Sequence, residues 1–274
     1  MAATWKGSIS FGLVNIPVEL HSAVTDSRPR FRLLHAKDKS PVNYERVCER
    51  EGKPVAWQDI VKGYEYSKGK YVVLTKEDFH AAALEKTKTI DIVDFVKQEE
   101  IDDRFFDTPY YAVAGKGGER GYAVLREAIR KSGRVGVGKV VLRDTQHLAA
   151  LTVVDKALVV TMMRFANQLV EPSRFSFPDA RTVRPKELEM ATTLVESLAD
   201  DWQPEKYKDD YTASLLRIIK AKQRGAKPSL PAAEKPQTGE VVDLMERLRQ
   251  SLEGRGKTAA PRRSAKRKTR RAAA

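Results

Sequence analysis

The stretch GRVGVGKV, residues 133–140, sets Gly133, Gly138 and Lys139 at the spacing of a phosphate-cradling loop, G-x-x-x-x-G-K-[ST]. That chemistry needs a hydroxyl next, to hold magnesium, and Val140 has none. It also needs a strand before the loop and a helix after it, whereas these flanks read as helix and then strand. The glycines are therefore expected to mark a helix stop and close strand packing. Asp102 and Asp103 are adjacent, so on a strand they point oppositely and on a helix they sit about 100° apart; neither makes a ready metal pair. His21, His35, His80 and His147 are scattered without ligand spacing, and Cys48 has no second Cys or His at zinc spacing. No nucleophile, base and orienting acid come together. The chain is read as not an enzyme, with no cofactor and no metal.

What remains is charge. Arg28, Arg30, Arg32, Lys37, Lys39, Arg46, Arg50 and Lys53 form one basic run, and Arg130, Lys131, Arg134 and Lys139 form a second. From Gly254 onward Arg255, Lys257, Arg262, Arg263, Lys266, Arg267, Lys268, Arg270 and Arg271 meet no acid, so nine of the +13 formal charges sit there and +4 remains on residues 1–253. Such runs suit phosphate contacts, which give affinity and orientation without reading bases. No helix-turn-helix, zinc finger or RNP-type aromatic signature is present to read sequence with. The plainer alternative is a solvated face balanced by Glu45, Glu49 and Glu51, and a tail that only solubilises.

The elements that would position these residues are strands first. In WKGSISFGLVNIPVEL, residues 5–20, Trp5, Gly7, Ile9, Phe11 and Leu13 share one phase, and Val14, Ile16, Val18 and Leu20 take the other. This reads as one strand that bends or bulges at Gly12. Further strands are expected at 29–36, 70–75, 89–96, 109–114, 135–143, 147–154 and 157–165, about eight in all, with residues 37–64 turn-rich and a Gly52-centred hairpin within them. Short links such as DK force antiparallel hairpins, and the set suggests a barrel or sandwich. Helices are expected from Thr75 to Glu85, between Gly118 and Gly133, at 185–199 and at 204–222. The last two leave the apolar stripes Leu188, Leu194, Val195, Leu198 and Tyr207, Tyr211, Leu215, Ile218, Ile219 in need of cover. A Pro-rich linker at 224–238 leads to an amphipathic helix at 240–253 with Val241, Leu244, Met245, Leu248 and Leu252 on one face, suited to a partner's groove or to folding back. The basic tail reads as disordered. No run of 18 apolar residues and no leader is seen, so no membrane partner is expected, and a lone cysteine suits a reducing cytoplasm.

These residues resemble the bacterial Ku proteins, the DNA-end-binding factors of non-homologous end joining. The likeness begins in WKGSISFGLVNIPVEL and continues through VNYERVCEREGKPV, IVKGYEYSKGKYVVL, IDIVDFV, FFDTPYYAV, YAVLREAIRKSGRVGVGKVVLR and KELEMATTLVESL, in that order. The resemblance implies a β-rich α+β fold: an antiparallel β-barrel core over residues 1–180 with inserted bridge strands at about 36–64. It implies a helical C-terminal arm for dimerisation over 181–223, a linker and partner-binding helix over 224–253, and the basic tail at 254–274. It further implies a homodimeric ring that binds double-stranded DNA ends without sequence specificity, at the nucleoid, and recruits a multi-domain ATP-dependent DNA ligase through Val241, Leu244, Met245, Leu248 and Leu252. DNA contact would fall to Arg30, Arg32, Lys37, Lys39, Arg46, Arg50, Lys53, Arg130, Lys131, Arg134 and the tail residues Arg262, Arg263, Lys266, Arg267 and Lys268. Some relatives carry a second cysteine three residues after the first; Glu51 stands there, so no metal is expected. The competing expectations are a general RNA- or chromatin-type basic binding protein and an NTP-dependent enzyme using the Gly133–Lys139 loop.

Overall fold

The phase change after Gly12 is a chain reversal. In the computed structural model, which describes residues 2–82, 88–142, 145–179, 181 and 183–227, strands β1 (Trp5–Phe11) and β2 (Val14–Ser22) pair antiparallel, with Ile9 opposite Ile16 and Phe11 opposite Val14. A two-residue turn sets odd-numbered residues against even-numbered ones. The apolar phase must therefore flip at the turn if both strands are to bury the same face. Gly12 takes the positive φ of 58° that a turn this short demands. The single bent strand expected from the sequence is corrected to a hairpin.

Next in the chain come strands β3 (Lys62–Ser67) and β4 (Lys70–Leu74) and helix α1 (Lys76–Ala82). Strands β5 (Thr89–Lys97) and β6 (Phe106–Ala114) lead to helix α2 (Glu119–Ser132). Strands β7 (Arg134–Leu142), β8 (Thr145–Val154) and β9 (Ala157–Met163) complete the set. Seven of these strands close a barrel in the order β1-β2-β6-β9-β8-β7-β5. Neighbours in it are antiparallel except at the seam where β1 runs parallel to β5, with Ser8, Ile9 and Ser10 opposite Thr89, Ile90 and Asp91. Ile9, Ile16, Leu20, Ile90, Leu151, Leu158 and Val160 fill the core, and α2 adds Leu125 and Ile129 to it. The Tyr122 hydroxyl of α2 donates to the Ala112 carbonyl at 2.8 Å and accepts from the Leu158 amide at 2.7 Å, joining β6 and β9 where those two residues face each other.

Between β2 and β5 the chain leaves the barrel. Here, among the described residues, β3 and β4 pair only with each other. Thr75 and Asp78 cap α1 reciprocally: the Thr75 amide donates to Asp78 at 2.8 Å, and the Asp78 amide to the Thr75 hydroxyl at 3.2 Å. Residues 29–36 are not the expected strand, since only Leu34 makes a bridge, to Pro41. Arg30, Phe31, Arg32 and Leu33 alternate as a strand would, but among the described residues their one backbone hydrogen bond is from the Val42 amide to the Leu33 carbonyl at 3.0 Å, and Phe31 and Leu33 are 67% and 58% exposed. Strand β3 escapes sequence reading for the converse reason: KGYEYS buries neither face.

Residues 175 onward form a separate unit. It contains α3 (Pro185–Leu198) and α4 (Asp210–Gln223). The second of these is shorter than the helix expected at 204–222, because Pro204–Lys206 is a single 3-10 turn and Asp209 starts the helix afresh. The Asp209 carboxylate accepts from the Thr212 amide at 2.9 Å and from its hydroxyl at 2.6 Å.

Candidate nucleic-acid interface

The first basic run lies on the excursion between β2 and β5, carried by turns rather than by a strand. Asp38 builds one of them. Its carboxylate accepts from the Ser40 amide at 3.0 Å and the Ser40 hydroxyl at 2.8 Å, and lies 3.0 Å from His35 Nδ1. Those bonds, Ser40's first, hold its carboxyl below the usual range. The turn presents Lys37 and Lys39, and the Lys39 ammonium donates to the Ala36 carbonyl. A second turn is closed by the Cys48 amide on the Lys53 carbonyl and the Gly52 amide on the Cys48 carbonyl, each at 2.8 Å, and it carries Arg50 and Lys53. Arg46 stacks over Trp57, 4.4 Å from the ring centre.

None of residues 24–82 is buried. Among the described residues the excursion holds one ion pair, His35 with Asp38. Arg28, Arg30, Arg32, Lys37, Arg50 and Lys53 therefore carry exposed charge that Glu45, Glu49 and Glu51 do not pair with. Elsewhere the chain does neutralise arginine at close range. Asp102 accepts from Arg104 Nε at 3.0 Å and Nη2 at 2.7 Å, and this pairing pulls its carboxyl down to about 2. Four further cations on the excursion, Lys62, Lys68, Lys70 and Lys76, lie outside the set expected from the sequence. Their signal is the turn S-K-G-K, where Gly69 takes a φ of 75° between two lysines.

The structure brings together two members of the second basic run, Arg130 and Arg134. Arg130 donates to both Glu127 oxygens, at 3.0 and 3.1 Å, and to the Asp155 carbonyl. Arg134 donates to the Phe95 carbonyl at 3.2 Å. Both arginines line a cavity of about 460 Å³ with Gln98, Thr152 and Asp155. Lys139 belongs to the other face of β7, since it is exposed while Gly138 and Val140 beside it are buried. Lys131 is exposed on α2. Arg130 and Arg134 thus come together and tie the end of α2 to neighbouring backbone, and Lys131 and Lys139 are not among the residues that line their cavity.

The Gly133–Lys139 stretch is likewise no phosphate loop. Gly133 ends α2 with its amide on the Ile129 carbonyl at 3.0 Å, and residues 134–142 are strand β7. A β-carbon on Gly138 would lie 2.2 Å from the Asp91 carbonyl oxygen, so the glycine serves the close approach of β5. Among the described residues no three His, Cys, Asp or Glu side chains gather as a metal site, and no helix is long and apolar enough to cross a membrane. The tail residues Arg262, Arg263, Lys266, Arg267 and Lys268 and the apolar set Val241, Leu244, Met245, Leu248 and Leu252 lie outside the described residues.

The family model described as the Ku70/Ku80 beta-barrel domain matches residues 10–190. A protein of Opitutus terrae named non-homologous end joining protein Ku is 45% identical over 278 residues, spanning 100% of both chains. Proteins of the same name from Cupriavidus necator and Bacillus subtilis are 46% and 38% identical over 264 and 255 residues. Each of these two matches covers 92% of this chain, with 78% and 82% of the respective relative.

Proposed function

The chain belongs to the Ku family, and we propose on that premise that it is a homodimeric, non-catalytic ring that binds double-stranded DNA ends in non-homologous end joining. The observation that carries the reading is the excursion of residues 24–82, which buries nothing and, among the described residues, leaves its arginines without an acid partner. Such a segment needs two kinds of cover. Its apolar groove of about 800 Å³, lined by Trp57, Ile60, Val61, Leu74 and Phe79, suits a second copy of the chain. Its cations suit the phosphate backbone.

DNA contact is assigned to Arg30, Arg32, Lys37, Lys39, Arg46, Arg50 and Lys53, and to the exposed Lys131, with the basic tail as a further, tethered contact. Arg130 and Arg134 are left out, because their donors already serve the barrel. A ring gains its preference for ends from topology, since closed DNA offers no entry, and backbone contacts then suffice. The apolar positions from Val241 to Leu252 supply the docking face for a multi-domain ATP-dependent ligase.

Competition tests the reading. Binding to a short linear duplex is expected to survive a large excess of closed circular DNA and of single-stranded RNA. Equal competition by either would replace the ring with a general basic nucleic-acid binder.

A further inference from the structure

The β3–β4 hairpin carries three tyrosines with no core behind them. Tyr64, Tyr66 and Tyr71 are 64%, 61% and 60% exposed. Among the described residues they make no hydrogen bond through their hydroxyls and no ring-on-ring contact. Tyr64 stands opposite Val72, and Tyr71 opposite Glu65, so the two rings belong to opposite faces of the ribbon. Tyr66 sits at the register shift between Glu65 and Ser67, beside the turn. The hairpin thus offers planar surfaces on both sides of a narrow, two-stranded finger.

The charge around these rings is mostly of one sign. Over residues 62–76 there are four lysines, Lys62, Lys68, Lys70 and Lys76, and a single acid, Glu65. Glu65 is turned to the hairpin's own end, where it accepts from the Gly69 amide at 2.8 Å. Lys62 lies over the Phe79 ring at 4.6 Å, at the base of the hairpin. Lys68 and Lys70 flank the turn and have no ion pair among the described residues. Exposed aromatics interleaved with unpaired lysines match the needs of a single strand of nucleic acid, which stacks its bases on rings and brings a phosphate with each base.

A subunit interface fits these residues less well. Protein interfaces are poor in lysine at their cores; Lys62 and Lys76 line the groove at the hairpin's foot, so it is Lys68 and Lys70, at its outer end, that are out of place in such a core. The apolar groove assigned above to the second copy is lined by residues 57, 58, 60–62, 73–76, 79 and 80, at the foot of the hairpin and on α1, and none of the three tyrosines lines it. We propose that the outer half of the β3–β4 hairpin is a stacking platform for unpaired bases in a single-stranded tail on a DNA end. Tyr64, Tyr66 and Tyr71 supply the planar faces, and Lys68 and Lys70 meet the flanking phosphates. The proposal rests on the end-binding reading and deepens it, because it names the structure of the end that is preferred.

The test measures the affinity of the full chain for fluorescent duplexes that are blunt or carry a single-stranded tail of about ten nucleotides. Wild type should bind the tailed duplex about tenfold more tightly, the scale of one or two stacked bases. The triple variant Tyr64→Ala, Tyr66→Ala, Tyr71→Ala should bring that ratio close to one while changing blunt-end affinity less than about twofold. The triple Tyr→Phe variant, which keeps the rings, should retain the preference and guards against a folding artefact. Photocrosslinking of wild type to a tail containing bromouracil should map to the hairpin tyrosines. Equal wild-type affinity for blunt and tailed ends would overturn the platform, yet leave end binding intact if linear DNA still resists circular competitor. A smaller oligomer for the alanine variant, seen by light scattering, would also overturn it and give the tyrosines to the subunit interface.

Discussion

At the scale of single residues, neighbours decide what a charged or polar group does. Arg30 and Arg134 look alike in sequence, each an arginine in a basic run. The difference is the Phe95 carbonyl 3.2 Å from Arg134, which no count of charges reveals. Asp102 shows the same rule through its titration. Hydrogen bonds from Arg104 lower its carboxyl from 3.8 to about 2. A depressed carboxyl contributes its stabilisation above the unfolded value and loses it as pH falls through the folded one, so this pair is intact at neutral pH and opens only in strong acid. Carbon-detected NMR of the native protein should find the Asp102 midpoint near 2, and Arg104→Ala should return it toward 3.8. An unchanged midpoint in that variant would remove the Arg104 side chain as the cause, leaving its backbone amide, which donates to Asp102 at 2.9 Å. Tyr122 is a neutral counterpart. Replacing it with Phe leaves the Ala112 carbonyl and the Leu158 amide without their shared partner, at a cost of about 1–3 kcal/mol. Urea unfolding should show a lower midpoint at the same slope; no change would mean that water replaces the hydroxyl.

At the scale of elements, legibility follows burial. Strands β5 to β9 and α2 are readable because one face of each meets a core, which writes a period into the sequence. The β1–β2 hairpin is half readable: its phase change is plain, but a bulge and a two-residue turn produce the same flip. The excursion is the least readable part, since a segment exposed on every side has little apolar period to detect: the strand expected at 29–36 is absent and β3 is unexpected, although β4 lies where a strand at 70–75 is expected. The candidate interface suffers likewise. Its charges are visible in the sequence, but the turns that present them, and the place of the lysines of β3 and β4, are not. Glycine separates these environments experimentally. Gly138→Ala forces a carbon into the β5 backbone and should destabilise the barrel by about 1–3 kcal/mol. Gly63→Ala, in the solvent-facing β3, meets only the Tyr71 side chain at 3.4 Å and should be neutral or stabilising by about 0.5–1 kcal/mol. Thermal unfolding of the two variants checks the contrast, and equal losses would contradict the strand placement.

At the scale of the whole molecule, charge and apolar surface are divided among different parts of the chain. The excursion exposes Trp57, Val61 and Phe79, and the C-terminal unit separately exposes Leu188, Val195, Trp202 and Tyr211. Both are surfaces suited to a second copy, and neither needs the last residues of the chain. The tail from Gly254 to Ala274 holds nine of the +13 net charges and only small or polar residues besides, so it has nothing to bury. Assembly and electrostatic affinity are therefore expected to separate on truncation. Removing residues 254–274 should weaken DNA binding and flatten the dependence of log K on log salt by up to about 8, the limit if every tail cation meets a phosphate. The proposed dimer should persist, with its mass by light scattering reduced only by the missing residues. A truncated chain that binds DNA with an unchanged salt slope would show that the tail makes no phosphate contact. One that falls to monomers would show that the tail contributes to assembly, and the separation of roles would fail.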